Sequence, residues 1–170
     1  SISDLFQSKL RLEDLNISFI PFHQFKGYVK EIADTPGTIF IYSPITAAKN
    51  GVAILAIRRN DALSLIQVIE KQMAGKDLGL NLGDQVIEEF FNIVVNTFLT
   101  RLSTSISKNF RLEPPVVTSS QKIHSVLKSE ELEKEDDDMV LFVQQAYLME
   151  AADLNFSIFI LFGSDFAEQE

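Results

Sequence analysis

Apolar residues recur along residues 84–107 with a spacing that no other stretch of the chain matches. At about 100° of rotation per residue, Val86, Ile87, Phe90, Phe91, Ile93, Val94, Val95, Phe98, Leu99, Leu102 and Ile106 cover most of a helical circumference. The pattern predicts one long, largely buried helix over Asp84–Ser107. Its start is marked by Gly83, which breaks what precedes, by Asp84 in an N-cap position, and by Glu88 and Glu89 in the early turns, where the macrodipole favours negative charge. Among the polar positions, Gln85, Glu89, Asn92, Asn96 and Ser103 fall together within an arc of roughly 60°.

Elsewhere the pattern is that of strands and short helices. Apolar runs predict strands near Asn16–Ile20, Thr38–Ile45, Gly51–Arg58, Phe110–Thr118, Met139–Met149 and Asn155–Phe162. Amphipathic spacing predicts short helices over Gln24–Ile32 and Gln121–Ser129. Some of these segments repeat. NGVAILAIRRNDA (Asn50–Ala62) parallels LNFSIFILFGSDF (Leu154–Phe166), each an apolar strand, a polar turn and an Asp opening a helix; QFKGYVKEI (24–32) parallels QKIHSVLKS (121–129). The expectation is a single α/β domain of the α+β type, a mostly antiparallel sheet covered by helices, built of two pseudo-symmetric halves at about 1–78 and 79–170. Glycines 75, 79 and 83 in MAGKDLGLNLGD read as a flexible linker between the halves. The first half's long helix is represented only by its end, SISDLFQSKLRL, whose first residue reads as a processed or truncated start.

The polar arc of the long helix is the candidate site. A solvated seam normally carries Lys, Arg and several Glu, whereas here amides and one carboxylate occupy it. Asn costs a few tenths of a kcal/mol against Ala in a helix interior, and two of them one turn apart on one face call for a reason. Glu89 and Asn92, three residues apart, lie on adjacent turns and can grip one small polar object together.

Glu89, two residues, Asn92, then twenty-two residues to Pro115 resembles the signature of the CheC/CheX/FliY phosphatases of chemotaxis, which remove the phosphoryl group from the response regulator CheY. GVAILAIRRNDALSLIQVIEKQ (Gly51–Gln72) is similar to the family's glycine, apolar strand and Asp-Ala-Leu helix, so the resemblance covers nearly the whole chain. It implies a CheC-like fold and a phosphatase in which Asn92 positions the attacking water and Glu89 pairs with the regulator's lysine. Gln85 and Asn96 would contact the partner. Mg²⁺ would come with the phosphorylated regulator, and no cofactor of the chain's own is implied. Two positions depart from the pattern: Gln85 stands where the family has Asp or Ser, and Asn96 where many members have Gly. Only one signature helix is present, against two in CheC and FliY. The alternative is therefore a non-catalytic module of the same fold, docking CheD or acting as a flagellar switch component.

Composition narrows the field without selecting a function. A chain of 170 residues, 46% hydrophobic, can bury one substantial core. A net charge of −9 argues against nucleic acid, which needs clustered Lys and Arg. No apolar run reaches membrane-spanning length, and the absence of Cys excludes disulfides and thiolate metal sites, fitting an expected cytoplasmic location. His23 and His124 lack a nucleophile-elbow context and read as surface or packing residues. EELEKEDDD (130–138) lacks the central Gly of a Ca²⁺ loop and reads as a solvated helix end and turn.

Overall fold

Residues 51–57 are apolar without interruption and are buried on both sides, which makes them the centre of the sheet. A computed structural model describes residues 10–46, 51–72, 82–106, 110–128, 134–149 and 154–163. Within them lie seven strands: β1 (Leu10–Pro21), β2 (Thr38–Thr46), β3 (Gly51–Arg58), β4 (Arg111–Leu112), β5 (Val116–Thr118), β6 (Met139–Met149) and β7 (Leu154–Gly163). Four helices accompany them: α1 (Phe22–Ala33), α2 (Arg59–Gln72), α3 (Leu82–Ile106) and α4 (Ser120–Leu127). The strands form one antiparallel sheet in the order β1-β6-β7-β3-β2-β4, with β5 also pairing β2.

That order reads the same from either edge. Outward from the central β3–β7 pair, β2 matches β6, and β4 with β5 matches β1. Chain order matches too, since an edge strand, a short helix and two long strands occur in sequence twice. Strand alternation then divides the interior into two cores. Ala53, Leu55 and Ile57 with Ile158, Ile160 and Phe162 face α2 and α3. Val52, Ile54 and Ala56 with Phe159 and Leu161 face α1 and α4, which contribute Phe25, Val29, Ile123 and Leu127. Many of the phenylalanines serve this packing. Phe142 stacks on Phe159 at 5.7 Å and meets Phe25 edge-on at 5.8 Å, and Phe90 meets Phe156 edge-on at 4.5 Å.

Three expected boundaries move. The first strand is longer than Asn16–Ile20 and takes in Leu10–Leu12, the end of the segment expected to close a helix; residues 1–9 lie outside the described residues. A register shift between Leu12 and Asp14 marks a bulge in this strand, which irregular pairing conceals from a period-two reading. Phe110–Thr118 is two short strands, because Pro114 and Pro115 bring no N–H to the ladder. Buried Ser43 compensates at this edge by donating its hydroxyl to the Glu113 carbonyl. The long helix opens at Leu82, so Gly83 lies in its first turn instead of breaking what precedes. The rest of the expected linker (73–81), the helix after residue 163, the last residue of the expected 121–129 helix and the start of the acidic run (130–133) lie outside the described residues.

The remainder of the acidic run is a tied-down turn. Phe22 and His23 backbone N–H groups donate to the Asp138 and Asp136 carbonyls at 2.7 and 3.0 Å, and Lys26 pairs with the Asp136 carboxylate. His23 Nδ1 also lies 3.0 Å from the Asp136 carbonyl, which gives this histidine a structural role. The hydrogen bond from Lys26 and then its charge hold the Asp136 carboxyl below its ordinary value of 3.8, with a further lowering by His23.

Two outcomes follow from this architecture. Phe142→Ala should cost about 3–5 kcal/mol in urea unfolding with an unchanged slope, whereas exposed Leu63→Ala should stay within about 0.5 kcal/mol. Because the folded Asp136 value lies below the unfolded one, its tie adds stability above about pH 4 and loses it as pH falls through the lowered value. Melting curves recorded downward from pH 5 should therefore fall less steeply for Asp136→Asn than for the parent chain.

Candidate functional site

Helix α3 spans 25 residues, and its sequence dictates which side meets the sheet. Val86, Ile87, Phe90, Phe91, Val94, Val95 and Leu99 are buried and join the core shared with α2. At roughly 25 cal/mol per Å² of apolar surface, burying seven such side chains holds the helix firmly in one rotational setting. The polar arc is then forced outward. Gln85 and Asn96 are exposed, and Glu89, Asn92 and Ser103 are half-buried. Ile93 and Phe98, expected in the core, are also half-buried, because no element covers the flanks of the helix as completely as its underside.

Along this arc runs an open groove of about 440 Å³ lined by Glu89, Asn92, Ile93, Asn96, Thr97, Thr100 and Arg101. The structure thus brings together three of the four expected residues, Glu89, Asn92 and Asn96. Gln85 lies one turn earlier and does not line the groove, and Pro115 sits in the loop between β4 and β5. Thr97, Thr100 and Arg101 were not expected. Their signal is the change in composition after Asn96, where NTFLTRLST carries polar residues around more of the circumference than the preceding turns do.

Thr97 donates its hydroxyl to the Ile93 carbonyl at 2.7 Å, and Thr104 does the same to Thr100 at 3.0 Å, which fixes both side chains against the helix. The chemistry on offer is one carboxylate and two carboxamides on successive turns of one helix, with a guanidinium beyond them at Arg101. A carboxamide both accepts and donates, so Asn92 can hold a water and an anionic oxygen together. Among the described residues no three His, Cys, Asp or Glu converge to hold a metal ion. No helix among them is long and apolar enough to cross a membrane.

No protein-family model and no curated protein matches the sequence. Solved structures do. The FliM middle domain of Vibrio alginolyticus superposes with a TM-score of 0.58 at 10% identity, covering 97% of this chain and 87% of that one. FliY of Thermotoga maritima gives 0.58 at 13% identity over 99% and 83%. FliM from H. pylori, in a complex with SpeE, gives 0.56 at 11% over 95% and 77%. The chain has the fold of FliY and the FliM middle domain. At these identities the likeness is one of fold, and the roles of individual residues rest on the groove itself.

The packing also sets what substitutions in the groove should do. Asn92→Ala removes a half-exposed amide from a helix and supplies a better helix former, so stability should stay within about 0.5 kcal/mol of the parent or rise slightly. Phe90→Ala, two residues earlier and on the underside, should cost about 3–5 kcal/mol. Paired denaturant titrations of the two variants check whether α3 is seated as described.

Proposed function

We propose that the chain accelerates hydrolysis of the aspartyl phosphate of a CheY-like response regulator, using the α3 groove as its docking and catalytic surface. The observation that carries this reading is the setting of Glu89 and Asn92. On a helix whose underside is apolar and buried, both open into one solvent-accessible groove, at the spacing of the phosphatase signature. The FliY-type fold supports the same reading.

An acyl phosphate is already activated, so catalysis needs chiefly a water held in line with phosphorus and no added negative charge beside it. The Asn92 carboxamide meets both needs. Its oxygen accepts a hydrogen bond from the water, and its NH₂ donates to a phosphoryl oxygen as charge builds in the transition state. Glu89, one turn earlier, pairs with a lysine of the regulator beside the phosphate and sets the register. In this reading Mg²⁺ belongs to the regulator, where it offsets the phosphate charge. Asn96 and the outer turns of α3 complete the contact surface.

A second reading is favoured by the FliM likeness and by the departures at Gln85 and Asn96: the same groove binds a partner without turnover. FliM has been solved in complexes with FliG and with SpeE, so domains of this fold are found in complexes with unlike proteins. A CheD-type partner for the chain falls under this reading.

Phosphate release from a phosphorylated regulator separates the two. Asn92→Ala should lower the accelerated rate about 100-fold or more without weakening regulator binding. Glu89→Ala should chiefly raise the regulator concentration needed for half-maximal rate. An active parent whose rate is unchanged by Asn92→Ala would remove catalysis from α3. A parent inactive toward every regulator of its own organism, yet binding one, would establish the second reading.

A further inference from the structure

Helix α3 offers more hydrogen-bonding capacity along its outer side than Glu89 and Asn92 account for. Asn92, Asn96 and Thr100 recur every four residues and form one ridge in the groove, with Asn96 and Thr100 exposed and Asn92 half-buried. Among the described residues, no hydrogen bond engages either carboxamide or the Thr100 hydroxyl. The neighbouring threonines differ. Thr97 and Thr104 donate their hydroxyls to the Ile93 and Thr100 carbonyls, one turn back, so the open groups of the ridge end at Thr100. Asn96 is also one of the two positions that depart from the signature, which makes the ridge a property of this chain.

The chemistry of the ridge narrows what it can meet. A carboxamide and a hydroxyl each donate and accept, as a peptide group does, and neither carries charge. A charged side chain of a partner would lose hydration here without meeting an opposite charge. Spacing points the same way. Successive ridge residues stand about 6 Å apart along the helix axis, and Asn92 to Thr100 spans about 12 Å. In an extended chain the N–H and C=O groups on one side recur every two residues, about 6.7 Å, and four residues cover about 13 Å. Over this length the two repeats stay within side-chain reach of each other. The buried underside of α3 already fixes the ridge in one setting, which lowers the ordering cost of docking.

We propose that Asn96 and Thr100 hydrogen-bond the main chain of an extended segment of the response regulator, running along α3 beside the phosphorylated aspartate that Asn92 serves. The inference rests on the reading of α3 as the regulator-docking surface and adds what its outer turns recognise. The Asn96 carboxamide donates to a main-chain carbonyl and accepts from the N–H of the same residue, and the Thr100 hydroxyl meets the peptide groups two residues on. Affinity gained in this way is indifferent to the regulator's side chains in that segment, so regulators that differ there are accepted alike.

The test measures binding of the whole chain to a CheY-like regulator carrying beryllofluoride, a stable analogue of the aspartyl phosphate, by calorimetry, with phosphate release as a second readout. Asn96→Ala and Thr100→Val should each weaken binding about 5-fold and together about 10-fold or more, while Thr100→Ser, which keeps the hydroxyl, should stay within about 2-fold of the parent. In phosphate release, the double variant should raise the half-saturating regulator concentration by the factor it loses in binding and lower the saturated rate by less than about 3-fold. Ser64→Ala, which removes an α2 hydroxyl bonded to the Asn60 carbonyl, should change neither. Asn96→Asp loses the donor and should bind as weakly as Asn96→Ala. Tighter binding by Asn96→Asp or Asn96→Lys would put a charged side chain opposite this turn and overturn the proposal. So would a single alanine substitution in the regulator that abolishes the difference between the parent and the double variant, since the contact would then be with that side chain. Both positions are exposed, so melting temperatures should match the parent's, and a loss comparable with that of a core substitution would remove the exposure on which the proposal stands. A double variant that binds like the parent, with Asn92→Ala still losing release, overturns this inference alone. A parent that neither binds nor acts on any regulator of its own organism overturns the docking reading and this inference with it.

Discussion

The seating of α3 on the sheet is the contact on which the other features of this molecule depend. Seven buried apolar side chains, from Val86 to Leu99, lock the helix against β2, β3, β5 and β7. Once that face is fixed, helical geometry leaves no freedom over where Glu89, Asn92 and Asn96 point. The groove is therefore a by-product of hydrophobic packing: the candidate chemistry is held in place by residues buried on the opposite side of the helix. Its rigidity has the same origin, since turning the helix by even one residue's rotation would drive Asn92 toward the sheet and bring Phe91 or Val95 into water.

The opposite face of the sheet is closed by smaller means. Helices α1 and α4 are short and depend on Phe25, Val29, Ile123 and Leu127 wedged against the Phe142–Phe159 stack. The acidic turn at 135–138 is tied to the start of α1 through Lys26 and two backbone hydrogen bonds, which fixes the entry to β6. Charge that reads in the sequence as a solvated run thus has a local structural duty, although a single exposed ion pair contributes modestly and is screened by salt.

The sheet is symmetric in order and, among the described residues, asymmetric in cover. On one half a long helix both roofs the edge and presents polar chemistry outward. On the other half the matching strand, β1, leaves Leu15, Ile17 and Phe19 exposed. A polar groove on a rigid helix suits a partner whose charged site must be read.

Much of this was legible in the sequence. Period-3.6 spacing located α3, and a continuous apolar run identified β3 as a central strand, because these signals are local and survive without knowledge of neighbours. The leftover polar arc likewise named Glu89, Asn92 and Asn96. Where neighbours decide, the sequence was silent. Ile93 and Phe98 are as apolar as Phe90, yet only contact with the sheet separates buried from half-buried. Gln85 shares the arc but lies beyond the groove, and Thr97, Thr100 and Arg101 enter it because cover falls away along the helix. The exposed face of β1 is also a tertiary fact: Leu15, Ile17 and Phe19 alternate as core residues would, and only the strand order shows that nothing among the described residues roofs them. Local periodicity records which side of an element is fit to be buried. Whether anything arrives to bury it is set by contacts between residues far apart in the chain.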